Sequence, residues 1–303
     1  MTSLSIVITT FNRPYKCINC IKAILSQPSL KDFNHQLIII DDKSSEKNFK
    51  IIKSYVLQKD ILLIRHNTNR GLAAARNTGI KFSNKNWIIF CDDDDIWNNN
   101  FLQILSNYIY EIKSSTEIII GLNSIYKKSW LKTFSSETNI RELILNGVTP
   151  PSSSQIFKLS ILKKIKGYRS NVLSGVDHDI WISLAKKINP VIEVCWDLYP
   201  SVSNDLSSNR ITTNEKKRLN EIKKSLLIWE SDIIKTFGNK FFRHFYDSYE
   251  LYNQYSFLIR DLKLGNFKKA LLRINNLNII FLFLKRILRI NNNRCNRFPR
   301  FSK

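Results

Sequence analysis

The sequence predicts an α/β protein with a mainly parallel central sheet and helices on both of its faces. Three observations predict this class. Short continuous apolar runs rich in β-branched residues recur as far as Ile120. Stretches with apolar residues at helical spacing separate them. Several of the runs end in polar or acidic residues, which in such a sheet collect at the carboxyl edge where ligands bind.

Leu4 to Thr10 reads as the first strand, and Asn12-Arg13-Pro14 as the turn that opens a helix over Tyr15 to Ser26, with Pro14 suited to a helix start. Gln36 to Ile40 is a second strand, ending in Asp41-Asp42. Asn48 to Leu57 reads as a helix, Ile61 to Ile64 as a strand, and Leu72 to Phe82, with its three alanines, as a helix. Trp87 to Cys91 is a fourth strand, followed by Asp92 to Asp95. A helix over Phe101 to Ile112 and a strand over Glu117 to Ile120 complete the first half.

Pro150-Pro151-Ser152-Ser153-Ser154 breaks the pattern before a short strand (Gln155 to Lys158) and a helix (Ser160 to Lys166) that Gly167 ends. Asp177 to Lys187 reads as a helix, with short strands at Val191 to Trp196 and Tyr199 to Val202. Helices are expected over Glu215 to Phe237, Lys240 to Leu262, Phe267 to Arg273 and Asn278 to Arg289. This change of character divides the chain into an α/β domain, residues 1–204, and a helical region, residues 205–303.

Composition sharpens the division. The 303 residues carry a net charge of +22. Residues 1–204 hold 26 basic and 17 acidic side chains, and residues 205–303 hold 21 and 8. No acidic residue follows Asp261. A basic tail of this kind suits an anionic partner, a membrane surface or a nucleic acid. With 8 Gly, 7 Pro and 43% hydrophobic residues, the chain is neither disordered nor collagen-like.

Five cysteines without framework spacing indicate a reducing compartment. Cys17 and Cys20 form a C-x-x-C, either a redox pair or half a zinc site or two small residues on one helix face. No second pair completes a zinc site, which favours the helix face. No basic segment precedes the first apolar run, and Ile279 to Leu284 is far shorter than the ~20 residues of a spanning helix. A cytoplasmic protein follows, with peripheral attachment to the plasma membrane as an option.

The chemistry is concentrated in the acids. Four adjacent carboxylates, Asp92 to Asp95, repel one another unless a cation neutralises them. Mg²⁺ or Mn²⁺ suits one or two carboxylates plus substrate phosphates, whereas a solvated acidic loop would not be flanked by Trp87-Ile88-Ile89-Phe90 and Ile96-Trp97. Strand alternation would set Asp92 and Asp94 on one side and Asp93 on the other. There is no glycine-rich phosphate loop. Gly71 opens a helix carrying Arg76, which suits either a phosphate or a neighbouring aspartate.

Four segments together resemble a family 2 glycosyltransferase of the GT-A type, an inverting class that builds bacterial polysaccharide and O-antigen. They are Ser5 to Arg13, Ile38 to Ser45, Asn69 to Ile80 and Ile89 to Trp97, in the family's order. Thr9 replaces a usual proline, Phe11 a usual tyrosine and Lys43 a common glycine. The resemblance implies that Thr10, Phe11, Asn12, Arg13, Asp41, Asp42, Arg76, Asp92 and Asp93 surround a nucleotide-sugar donor. It implies a D-x-D metal site at Asp92 and Asp94 that takes Mn²⁺ or Mg²⁺, and UDP or dTDP as the favoured nucleotide. The family's Glu-Asp pair falls on Val176-Asp177, which makes Asp177 the base. Asp179 is the competing candidate, although dipole and capping effects explain an acid at a helix start. His178 is expected to pack rather than to bind metal.

The acceptor that the resemblance implies is a glycan or lipid-linked intermediate, which gives the basic tail a membrane to meet. Two other classes fit parts of the sequence. A sugar nucleotidyltransferase would share the acidic metal ligands, but its first turn normally contains glycine. A nucleic-acid-binding protein would share the charge, but the Asp92 to Asp95 cluster repels phosphate and no nucleic-acid motif is present.

Overall fold

The computed structural model describes residues 2–30, 33–122, 150–196, 201–202, 215–263 and 265–273, with Ile140, Ile144 and Leu198. In chain order the elements are β1 (Thr2–Thr10), α1 (Pro14–Leu25), β2 (Phe33–Asp41), α2 (Glu46–Val56), β3 (Ile61–Arg65), α3 (Leu72–Phe82), β4 (Trp87–Asp92), β5 (Asp95–Ile96), α4 (Phe101–Glu111) and β6 (Ile118–Leu122). A 3₁₀ turn at Ser152–Ser154 leads into β7 (Gln155–Lys158), α5 (Leu159–Lys164), α6 (Val176–Lys187), β8 (Ile192–Trp196) and β9 (Ser201–Val202). The helices α7 (Glu215–Phe237), α8 (Asn239–Lys263) and α9 (Phe267–Arg273) follow.

Seven strands form one sheet in the order β3-β2-β1-β4-β7-β6-β8. β1 runs parallel to both β2 and β4, β2 to β3, and β6 to β8, while β7 is antiparallel to both of its neighbours. The sheet is therefore mostly parallel, with one reversed strand. Apolar patterning specifies a buried strand without specifying its direction, so β7 was legible as a strand and its reversal was not.

The strands read as continuous apolar runs because both faces are covered. Val7, Ile38, Ile40 and Phe90 face a core shared with α3, α5, α6, α7 and α8. Ile6, Ile8, Ile39 and Ile89 face the opposite core, shared with α1, α2 and α4. α3 lies so close to β1 that a Cβ on Gly79 would sit 2.4 Å from Val7 Cγ1. Cys17 and Cys20 lie in the second core as free thiols, and burial pushes both thiols up, which agrees with the helix-face reading.

The helices after residue 205 join the first core. Trp229 of α7 and Phe245 of α8 are fully buried there. A Cβ on Gly175, at φ +75° just before α6, would lie 2.6 Å from the Trp229 ring and 2.5 Å from Tyr249 Oη. α9 is tied back to α8 by Arg273 Nε, 2.7 Å from Asp261 Oδ2. Five helices, α1, α2, α5, α6 and α8, start one or two residues earlier than the sequence suggests. α2 begins at Glu46 because Ser45 caps it, accepting from Asn48 N, and α6 begins at Val176 directly after Gly175. Of the strand expected over Tyr199 to Val202, Ser201–Val202 is seen, paired with β5. The expected helix over Asn278 to Arg289 lies outside the described residues.

Lys43 occupies the left-handed region at φ +68° and is exposed. A glycine there avoids the Cβ–carbonyl conflict at the cost of unfolded-state entropy. Lys43→Gly is expected to stabilise the chain by about 0.5–1 kcal/mol in a denaturant titration. A loss of stability would show that the lysine makes a compensating contact.

Candidate active site

In open sheets of this kind ligands settle beyond the carboxyl ends of the strands, where the strand order reverses. Here the chain moves outward from β1 to β2 and β3, then returns to place β4 on the other side of β1. Thr9 pairs with Asp92 in that register, so the polar end of β1 and the acidic end of β4 are adjacent.

At the end of β2 the two aspartates have different surroundings. Asp42 accepts from Arg70 N at 2.9 Å and Gly71 N at 2.7 Å, and lies 2.7 Å from His66 Nδ1. His66 Nε2 is 2.8 Å from Thr78 Oγ1. The Asp42 carboxylate thus fastens the Gly71 loop that opens α3. Asp41 Oδ2 accepts from Ser44 N at 3.1 Å and faces Arg65 Nε at 3.3 Å, while its buried Oδ1 has no hydrogen-bond partner. A buried carboxylate oxygen without a donor is costly, and a ligand N–H would relieve it.

Asn12 sits at φ +57° and links the first and second strand ends. Its backbone N donates to Ser44 Oγ at 2.7 Å, and its Oδ1 accepts from Ser45 N at 2.8 Å. Asparagine tolerates that backbone better than most residues. Phe11 beside it is 45% exposed, an apolar ring left at the edge of the site.

The four aspartates do not form a single cluster. β4 ends at Asp92, Asp93 and Asp94 form the turn, and Asp95 begins β5. Asp93 turns inward. It accepts from Thr10 Oγ1 at 2.7 Å and from Arg13 Nε at 3.1 Å, with Arg13 Nη2 also in contact. Burial outweighs these favourable partners and pushes its carboxyl up to about 7. Asp95 is also buried, and burial, then the charge of Asp92, pushes it up to about 7. Asp94 lies 3.3 Å from Arg13 Nη1. The Asp92 side chain is 42% exposed, with contacts no shorter than 3.2 Å to Ser152 Oγ and 3.3 Å to Arg76 Nη2. The turn thus separates inward Asp93 from outward Asp92, but Asp94, 11% exposed, shares Arg13 with Asp93, so the expected pairing of Asp92 and Asp94 on one side does not carry through the turn.

Asp177 reaches the same place from the first turn of α6. Arg76 Nη1 donates to Asp177 Oδ1 at 2.7 Å, so one guanidinium joins Asp177 to Asp92. Arg76 thus meets neighbouring aspartates, one of the two kinds of partner that its segment suits. Asp177 keeps a 34% exposed side chain, whereas that of Asp179 is 1% exposed. Asp179 accepts from Arg169 Nε at 2.7 Å, Arg169 N at 3.3 Å and Trp229 Nε1 at 2.9 Å. Its role at the helix start is an ion pair and an indole hydrogen bond rather than a cap. His178 packs edge-on to Tyr249 at 4.7 Å between ring centres, as a packing residue.

Ser152, Arg65, His66 and Tyr168 belong to this neighbourhood and were not singled out in the sequence. Ser152 had one signal, its place in a breaker cluster directly before a strand. The others carry no motif of their own.

Among the described residues, no group of three or more His, Cys, Asp and Glu side chains can by itself hold a metal ion. The donor set fits a cation that shares its coordination with a substrate. Asp92 presents an exposed, loosely held carboxylate and Asp94 is its neighbour across the turn, and Mg²⁺ or Mn²⁺ held there would draw its remaining ligands from phosphate oxygens and water.

Residues 5–165, more than half the chain, match the profile described as Glycosyl transferase family 2. Over 250 residues the chain is 28% identical to the poly(ribitol-phosphate) beta-N-acetylglucosaminyltransferase TarP of Staphylococcus aureus strain N315, covering 78% of this chain and 75% of that one. Its fold is similar to S. aureus TarS 1-349 in complex with UDP-GlcNAc, with a TM-score of 0.59, 17% identity, and coverage of 87% of this chain and 73% of that one. The mannosyltransferase PcManGT from Pyrobaculum calidifontis, in complex with GDP-Man and Mn2+, has a TM-score of 0.59 at 12% identity, covering 95% of this chain and 80% of that one. These likenesses establish a GT-A fold, the architecture expected from the sequence.

Proposed function

The chain belongs to glycosyl transferase family 2, and from that premise we propose that it transfers a sugar from a nucleoside diphosphate sugar to an acceptor hydroxyl with inversion at the anomeric carbon. The observation that carries the reading is the meeting of Asp92 and Asp177 around Arg76 beyond the end of β4. A donor diphosphate and an attacking hydroxyl need these two carboxylates on one site. Family membership favours transfer over the nucleotidyltransferase alternative.

In this reading Asp41 Oδ1 accepts from the N–H of the nucleotide base, and the exposed Phe11 ring covers the base face. Asn12 and Asp42 shape the loops around it. Thr10 and Arg13 hold Asp93 in the interior, which fixes the turn bearing Asp92 and Asp94. Asp92 and Asp94 would hold the divalent cation, whose charge offsets the charge growing on the departing diphosphate. Asp177 takes the acceptor O–H proton as that oxygen bonds to the anomeric carbon. The bond from that carbon to the diphosphate oxygen breaks, and its electron pair leaves with the nucleoside diphosphate. Residues 1–204 carry this chemistry, and α7 and α8 of the region 205–303 brace the helix that presents Asp177.

UDP is the favoured nucleotide, supported by the UDP-GlcNAc bound by TarS, with dTDP next. The acceptor is a cell-surface glycan or lipid-linked intermediate. TarP is named for a poly(ribitol-phosphate) acceptor, and a net charge of +22 suits a phosphate-bearing chain. A screen of nucleotide sugars by thermal unfolding tests the donor. A UDP-sugar with Mn²⁺ at a hundred times its Kd is expected to add about 2.7 kcal/mol, and a chelator to remove most of it. Stabilisation that survives the chelator would contradict a cation-bridged donor.

The same reading places the enzyme in the cytoplasm, at the inner face of the plasma membrane. No helix of the described residues is long and apolar enough to cross a membrane. On α9, Phe267, Leu271 and Leu272 are each at least 65% exposed, beside exposed Lys268 and Lys269. Basic side chains with exposed apolar neighbours suit docking on anionic lipid. Co-sedimentation with phosphatidylserine vesicles is expected to fall with salt and with Leu271→Glu plus Leu272→Glu. Equal binding to phosphatidylcholine vesicles, or no effect of the two charges, would contradict it.

A further inference from the structure

Arg76 carries an assignment of its own. Its guanidinium is held from behind by rigid parts. α3 approaches β1 so closely at Gly79 that a Cβ there would meet the Val7 side chain. The Arg76 side chain is 1% exposed, and its guanidinium carbon lies 5.6 Å from the Phe90 ring centre and 5.4 Å from that of Tyr168. Asn77, the next residue of α3, clamps the Tyr168 backbone by donating to its carbonyl and accepting from its N–H, both at 2.8 Å. From this pocket Nη1 reaches Asp177 and Nη2 reaches Asp92, on elements 101 and 16 residues away. A guanidinium is planar and presents several donors in a fixed geometry, so it can fix the spacing between two carboxylates.

We infer that Arg76 is a positioning residue: it sets the Asp177 carboxylate against the cation-binding end of β4, and it is not a ligand of the donor phosphates. The inference rests on Asp177 as the base, and deepens that reading by naming what aims it. Both terminal nitrogens of the guanidinium are already engaged, Nη1 by Asp177 and Nη2 by Asp92, which leaves no bidentate face for a phosphate. A lysine would keep the charge but lose the fork, leaving one of the two carboxylates without its donor.

A double-mutant cycle tests this. The probe is release of UDP, dTDP or GDP from a panel of their sugars with Mn²⁺, where water takes the place of the acceptor hydroxyl, and the fastest donor is carried forward. Arg76→Lys is expected to slow kcat by about 10²-fold, the cost of a misplaced catalytic group. The donor KM and the half-saturating Mn²⁺ concentration should stay within about threefold, because binding is not what the residue supplies. In the Asp177→Asn background the same change should cost less than about threefold, since a residue acting through Asp177 has nothing left to aim. If Arg76→Lys lowers the melting midpoint so far that folding is lost, Arg76→Gln replaces it in the cycle.

Losses that multiply in the double variant would overturn the inference, as would a rise in donor KM or a shifted Mn²⁺ requirement that accounts for the Arg76→Lys defect. Those outcomes leave the transferase reading intact. Full activity of Asp177→Asn, or no release by the unmodified chain from any sugar, overturns the underlying reading and this inference with it.

Discussion

Asp177→Asn is expected to bind UDP and Mn²⁺ as the unmodified chain does while transferring sugar about 10²–10⁴-fold more slowly, the usual worth of general base catalysis. The asparagine keeps the size and shape of the side chain, and its amide oxygen can still accept from Arg76 Nη1, so the site should hold together. What it loses is the capacity to take a proton from the attacking hydroxyl. The 34% exposure of Asp177 is the reason for placing the proton there. Titration calorimetry with UDP and Mn²⁺ separates the two effects. A variant that loses binding and rate together would show that residue 177 helps build the donor site, and native rate would remove it from the mechanism.

Asp179→Ala is expected to act on stability, with a loss toward the lower end of the roughly 3–5 kcal/mol that breaking a buried ion pair costs. Its side chain is 1% exposed and serves Arg169 and the Trp229 indole. Removal leaves the indole N–H buried without an acceptor and deprives Arg169 of one carboxylate. Asp232, 2.6 Å from Arg169 Nη1, continues to neutralise that cation, which moderates the loss. Denaturant unfolding measures the change. Unchanged stability with a collapsed catalytic rate would exchange the roles given to Asp177 and Asp179.

The contrast between these two aspartates marks what the sequence could and could not express. The strands were legible because burial on both faces leaves a continuous apolar run, as in Gln36 to Ile40 and Trp87 to Cys91. The acidic strand ends were legible because four adjacent carboxylates after an apolar strand need an explanation. Motif order supplied Asp177. The partners were not legible. Asp179 meets Trp229 across 50 positions, and Arg76 meets Asp177 across 101, with nothing local in either segment to announce the pairing. The inward turn of Asp93 likewise depends on Thr10 and Arg13, 83 and 80 positions away. The two-residue strands β5 and β9 are too short for any periodicity to register.

The position of Arg76 links the parts of the proposed site. Asp92 and Asp177, which in that proposal face the cation and the acceptor, come from separate elements, β4 and α6. A buried arginine from a third element, α3, touches both.

The most direct test of the account is the anomeric configuration of the first sugar released. An α-linked UDP-sugar is mixed with the enzyme and Mn²⁺, and the anomeric proton is followed by NMR before mutarotation. One displacement with Asp177 as base predicts that the β-anomer appears first. Appearance of the α-anomer first would contradict the single inverting step on which the assignment of Asp177 depends.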